Sequence, residues 1–93
     1  MIAFLKGGKI MNTLHELPNI SKVIEKKLIE AGVDTPQSLM NIGSKEALSR
    51  IRLEDDTTCI NMLYALKGAI KGIRWHSLSN DIKQELKEFY KTL

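Results

Sequence analysis

The chain has 93 residues and an ordinary 43% of hydrophobic ones, enough for one domain with its own core and too few for two. A single cysteine, Cys59, excludes an internal disulfide and a thiolate metal cluster, and no apolar run reaches the length of a membrane span. The formal charge of +3 includes Lys6 and Lys9 in the first ten residues, so the remainder is nearly neutral and bulk charge is weak evidence for a nucleic-acid partner.

Residues 1–11 read as a tail, leader or linker ahead of a helical domain at 12–93. The Met1–Ile10 stretch has an apolar piece too short for a signal sequence and no small-residue cleavage site. Two readings stay open. Lys6-Gly7-Gly8 fits a purine run of the ribosome-binding type just before Met11, which would make Met11 the start. Otherwise the segment is an ordinary tail with a Gly-Gly linker.

Asn12 or Thr13 can cap a short first helix at Thr13–Glu16, which stops because the residue before Pro18 avoids the α region. A second helix at about Ile20–Ala31 places Ile20, Ile24, Leu28 and Ala31 on one face. Gly32 suits a left-handed exit, with Val33 folding back on Leu28. Thr35 and Pro36 open a third helix that Gly43 ends. Ser44 caps a fourth at Lys45–Arg52.

After the polar break Leu53–Asp56, a fifth helix at about Thr57–Ile73 carries the apolar stripe Cys59, Met62, Leu63, Leu66, Ile70, Ile73. Its flanking charges, Asp55 and Asp56 before it and Lys67 and Lys71 near its end, complement the helix dipole. Gly72 closes it. A sixth helix, capped by Ser79, carries Ile82, Leu86, Phe89 and Leu93, with Lys87 and Lys91 near its end. The expected fold is therefore all-α, a bundle of five to six helices with short connections.

Leu17-Pro18-Asn19-Ile20, Glu30-Ala31-Gly32-Val33-Asp34-Thr35, Asn61-Met62-Leu63-Tyr64-Ala65-Leu66 and Ile73-Arg74-Trp75-His76 with Leu78 carry a resemblance. Across residues 14–90 the chain resembles the C-terminal domain of the TfoX (Sxy) family of bacterial competence regulators. The resemblance implies a helix-hairpin-helix, SAM-like bundle and a role in regulating DNA uptake or transcription. Family members usually have a further N-terminal domain, so the expectation is a stand-alone C-terminal module. More distantly, the first half is similar to the N-terminal helical module of archaeal RadA-type recombinases and to the C-terminal domain of the RNA polymerase α subunit, both of which bind DNA.

Two surfaces are candidates for nucleic-acid contact. In the hairpin, DNA-binding relatives usually have glycines at the positions of Asn19 and Ser21, where the backbone approaches a phosphate. Here the turn can fold, since Asn tolerates left-handed backbone and Ser caps helices, but side chains narrow the approach. Backbone N–H groups of Ser21 and Lys22 with the Lys22 ammonium would form the phosphate site, and Lys26 and Lys27 continue along the helix among Glu25 and Glu30. The second candidate is Lys67, Lys71 and Arg74, spaced i, i+4, i+7 without an intervening carboxylate and extended by Tyr64. Each also reads as scaffold or solvated helix face.

Asp55 and Asp56 stand where a second hairpin would meet phosphate, and would repel it. Trp75 and His76 suit base stacking or, as a structural reading, core filling between the last two helices and a carbonyl cap. His15 stands apart from other candidate ligands. There is no HExxH, CxxC, GxSxG or phosphate-loop glycine pattern, so the sequence implies no enzyme, cofactor or metal. The expectation is a cytoplasmic regulatory module contacting a protein partner; the alternative is a helix-hairpin-helix module that contacts the phosphate backbone of nucleic acid without sequence specificity.

Overall fold

Fourteen buried apolar residues, from Leu14 near the start to Leu86 in the last helix, form one core cluster that the helices are arranged to cover. The computed structural model describes residues 5, 6, 9, 10 and 13–93. Strands β1 (Leu5–Lys6) and β2 (Lys9–Ile10) pair antiparallel, Leu5 opposite Ile10 and Lys6 opposite Lys9, within the stretch read as tail, leader or linker. Met11 lies outside the described residues.

The rest is helical. A 3-10 turn at Leu14–Glu16 stands where a first helix was expected; the Glu16 carboxylate accepts hydrogen bonds from the Thr13 N–H (3.1 Å) and hydroxyl (2.8 Å). Four α-helices follow: α1 (Lys22–Glu30), α2 (Pro36–Glu54), α3 (Ile60–Lys71) and α4 (Asn80–Lys91), with a second 3-10 turn at Trp75–Ser77 between the last two.

The helix ends follow from local chemistry. Ser21, Thr35 and Ser79 each accept the N–H three residues on, at 3.0–3.2 Å, at the starts of α1, α2 and α4. Both α1 and α3 end in the same left-handed motif. Gly32 (φ +86°) lets the Val33 N–H reach the Leu28 carbonyl at 2.8 Å, and Gly72 (φ +74°) lets the Ile73 N–H reach the Gly68 carbonyl at 2.9 Å. Val33 is then fully buried, as expected of the residue after such a cap.

Three expectations need correction. The count is four α-helices rather than five or six, because the segments assigned to a third and a fourth helix join as α2. Gly43 (φ +83°, ψ 168°) breaks the helical backbone between them without separating them by a loop. Helix α3 starts at Ile60 rather than near Thr57. Asp55 accepts hydrogen bonds from the Thr57 N–H (3.0 Å) and hydroxyl and so holds that residue in a turn. Cys59 is consequently an exposed residue flanking α3, not part of its buried stripe; Leu63, Leu66 and Ala69 carry that burial. In α4 the helix ends at Lys91, and Leu93 is exposed rather than core.

Candidate functional site

The turn between the first 3-10 turn and α1 is anchored from its own centre. Asn19 has φ +69°, the one non-glycine residue with positive φ among those described, and this left-handed backbone turns its side chain inward. Its Nδ2 donates to the Ile73 carbonyl at 2.8 Å and to the Ala65 carbonyl at 3.4 Å. Its Oδ1 accepts the Trp75 N–H at 3.1 Å. The amide thus fastens the turn to the end of α3 and the start of the second 3-10 turn. Gly68 makes room for it. A Cβ there would stand 2.5 Å from Asn19 Nδ2 and 2.8 Å from the Ile73 carbonyl oxygen. A glycine inside a helix lowers its stability by about 1 kcal/mol relative to alanine, and here close approach of the amide requires it.

Ser21 caps α1 through its hydroxyl and is exposed, as are Lys22 and Lys26. Lys27 is different: its ammonium pairs with Asp55, joining α1 to the turn after α2. The Lys27 contact, with the two hydrogen bonds from Thr57, holds the Asp55 carboxyl well below the usual carboxylate range. Asp55 is therefore engaged internally, and Asp56 is the exposed member of that pair. On the other side of α1, Glu25 accepts the His15 backbone N–H at 3.2 Å, and His15 Nδ1 lies 3.0 Å from both carboxylate oxygens. The hydrogen bond with the His15 ring is the chief cause that lowers the Glu25 pKa. His15, which stands apart in sequence from any partner, thus clamps the first 3-10 turn to α1.

The basic stripe divides. Lys67 and Lys71 share one stripe of α3 with the half-buried Ile60 and Tyr64, but Gly72 ends the helix, and Arg74 leaves that stripe. Arg74 instead lines an open groove of about 400 Å³ together with Asn19, Ser21, Cys59, Met62 and Trp75. The structure thus brings Asn19, Ser21 and Arg74 together and places Lys67 and Lys71 on another face. Lys22, Lys26, Lys67, Lys71 and Arg74 have no ion pair among the described residues.

Trp75 is half-buried, its ring stacked against Tyr64 (centroids 5.9 Å apart) and against His76 (4.0 Å). His76 is exposed and lies on the indole, where a carbonyl cap was expected. Among the described residues no group of three His, Cys, Asp or Glu side chains is placed to hold a metal, and no helix is long and apolar enough to cross a membrane.

With this geometry in view, the profile of the TfoX C-terminal domain matches residues 10–90. The chain belongs to the TfoX C-terminal domain family. It is 34% identical to Protein Sxy of Escherichia coli over 98% of this chain, and 27% identical over 87% of it to the DNA transformation protein TfoX1 of Aliivibrio fischeri. It spans 45% and 39% of those two proteins' lengths. Two crystal structures of uncharacterised Listeria monocytogenes proteins share the fold. The triclinic form has a TM-score of 0.85 at 52% identity, covering 86% of this chain and 91% of that one. The tetragonal form has a TM-score of 0.83 at 53% identity, covering 85% and 96%.

Within this TfoX-family chain, two features escape the sequence reading. The Asn19–Gly68 contact joins residues 49 positions apart, and no local pattern announces it. In α4 the sequence reading places only Lys87 and Lys91, near the helix end; Lys83 extends them to a row spaced i, i+4, i+8.

Proposed function

We propose that this domain is a non-enzymatic binding module in competence or transcription regulation, acting in the cytoplasm by docking a regulatory protein. The family supports the regulatory role. The hairpin centred on Asn19 and the left-handed exit at Gly32 support assigning the bundle to the helix-hairpin-helix, SAM-like type, with residues 12–93 as one unit. Within that frame the turn serves as scaffold, since the Asn19 amide is taken up by Ile73, Ala65 and Trp75.

The observation that carries the protein-docking reading is the outer face of α1. Val23 and Ile29 are 65% and 50% exposed, on either side of Lys22 and Lys26. β-branched residues lower helix propensity, and at these exposures they gain little internal packing in return. They place apolar surface beside cations, the combination of an apolar contact with a charged rim that protein interfaces use. A photo-crosslinking residue at Val23, in the full chain expressed in its host, should give an adduct of discrete mass with a protein. The same residue at Glu46 on α2 should give none, and no adduct at Val23 refutes the reading.

A second reading keeps the phosphate-backbone contact, because Lys22, Lys26 and Arg74 form no ion pair among the described residues. Titrating duplex DNA at low salt tests it. Binding weakened by Lys22→Glu supports it, and no binding removes it.

A further inference from the structure

The face between α3 and α4 joins Lys67, Lys71 and Tyr64 to a row of α4 lysines that neither reading above uses. Ile60, Tyr64, Lys67 and Lys71 recur at steps of four, three and four, one stripe along α3. Lys83, Lys87 and Lys91 recur every four residues along α4. The two rows meet at an open groove of about 320 Å³ lined by Ile60, Tyr64, Lys87, Tyr90 and Lys91.

Aromatic rings are fixed within this charged frame. The Tyr90 hydroxyl donates to the Thr58 carbonyl at 2.9 Å, which holds its ring in place. Trp75 stacks on Tyr64 with an interplanar angle of 17° and on His76 with one of 29°, and the Lys83 ammonium lies 5.7 Å from the Trp75 ring centroid. One carboxylate enters the row, Glu88, at 3.7 Å from Lys91 and on the receiving end of a hydrogen bond from Gln84. Lys67, Lys71, Lys83 and Lys87 have no ion pair among the described residues.

Two rows of ammonium groups attract a polyanion, and half-exposed planar rings between and beside them offer faces for stacking. An acidic peptide would use the first feature and leave the rings idle. A duplex presents phosphates but keeps its base faces inside the helix. A single strand uses both, with phosphates along the lysine rows and bases extending the Tyr64–Trp75–His76 stack. We propose that the α3–α4 groove binds single-stranded nucleic acid. This is a different face from the α1 surface and does not depend on it.

Trp75 is the only tryptophan and sits in the Tyr64–Trp75–His76 stack beside the groove, so its emission reports a base added to that stack. The full chain is titrated at about 50 mM salt with a short single-stranded DNA of mixed sequence, with the same sequence as duplex, and with polyglutamate. The single strand should quench Trp75 and bind about tenfold more tightly than the duplex, which offers no base faces. Its affinity should fall with salt at a log–log slope of about −3, as for four or five lysine–phosphate contacts. Lys71→Glu and Lys87→Glu should each weaken it by about tenfold with circular dichroism unchanged, and Lys22→Glu should not. Absence of binding, equal or tighter duplex binding, equal binding of polyglutamate, or saturation without change in Trp75 emission each overturns the proposal. So does sensitivity to Lys22→Glu with indifference to Lys87→Glu, a result that favours the hairpin instead.

Discussion

Replacing Asn19 by alanine removes the bracket between the turn before α1 and the end of α3. Two of its three hydrogen bonds are short, the Nδ2 donation to Ile73 at 2.8 Å and the acceptance from Trp75 N–H at 3.1 Å. Both span more than 50 residues of sequence, so they are tertiary ties rather than local turn contacts. Leaving a part-buried backbone group without its partner costs about 1–3 kcal/mol, and the variant orphans the Trp75 N–H and removes a partner from the Ile73 carbonyl. Holding alanine in the left-handed region at φ +69° adds about 1 kcal/mol. The expected loss is about 2–4 kcal/mol, a fall in Tm on the order of 10–25 °C for a domain this size. Thermal unfolding followed by circular dichroism measures it. Asn19→Gly separates the two causes, because glycine accepts the backbone at no steric cost but supplies no amide. It should recover about 1 kcal/mol of the alanine loss and no more. A Tm drop below about 3 °C for Asn19→Ala would refute the claim that the amide ties the turn to α3.

Gly68→Ala should also destabilise the domain, although alanine favours helix by about 1 kcal/mol, because its methyl group meets Asn19 and the Ile73 carbonyl. In Asn19→Ala/Gly68→Ala the clash with the amide is gone, so urea unfolding should show the double variant losing less than the sum of the singles; strict additivity would place the two residues in separate networks. Acid should weaken the fold through Asp55 and Glu25, whose carboxyls are held below their ordinary range. A depressed carboxylate contributes stability that is present above its unfolded value near 4 and is lost as pH falls through the folded value. Stability measured by urea from pH 6 downward should therefore decline below about pH 5, and less steeply in Asp55→Asn than in the parent; equal slopes would contradict the Lys27–Asp55 and Thr57 contacts as the cause.

Much of the architecture is legible in the sequence because it rests on short-range chemistry. Ser21, Thr35-Pro36, Gly32, Gly72 and Ser79 each act within four residues of their own position, and each marks a real helix end. The failures share a different cause. Thr57 and Thr58 read as the start of a helix until the Asp55 carboxylate is seen to hold the Thr57 N–H, and with it Cys59 moves from core to surface. Gly43 marks a true break in helical backbone, but whether the flanking segments read as one helix or two depends on how the chain rejoins beyond it.

The candidate site was legible as a set of residue types and not as a surface. Asn19 could be read as suited to left-handed backbone, but not as facing Ile73 and Trp75, since that requires α3 to be packed against the turn. A helical wheel sets Lys27 about 140° from Lys22, at the edge of the buried face, but the partner it meets, Asp55 from the far end of α2, is not visible there. Arg74 continues the spacing of Lys67 and Lys71 on paper, and the left-handed residue Gly72 carries it to the hairpin side.

The proposed docking of a protein through the outer face of α1, with the Asn19 turn as scaffold, has a direct test in the cell. The measurement closest to it is expression of a competence-gene reporter in a host strain lacking this gene and complemented with the full chain. Val23→Glu/Ile29→Glu, with stability verified by thermal unfolding, should lose reporter activation, whereas Arg74→Glu, in the groove beside Asn19 and Ser21 and off α1, should retain it. Full activation by the double variant, or loss of activation with Arg74→Glu alone, would contradict docking through α1.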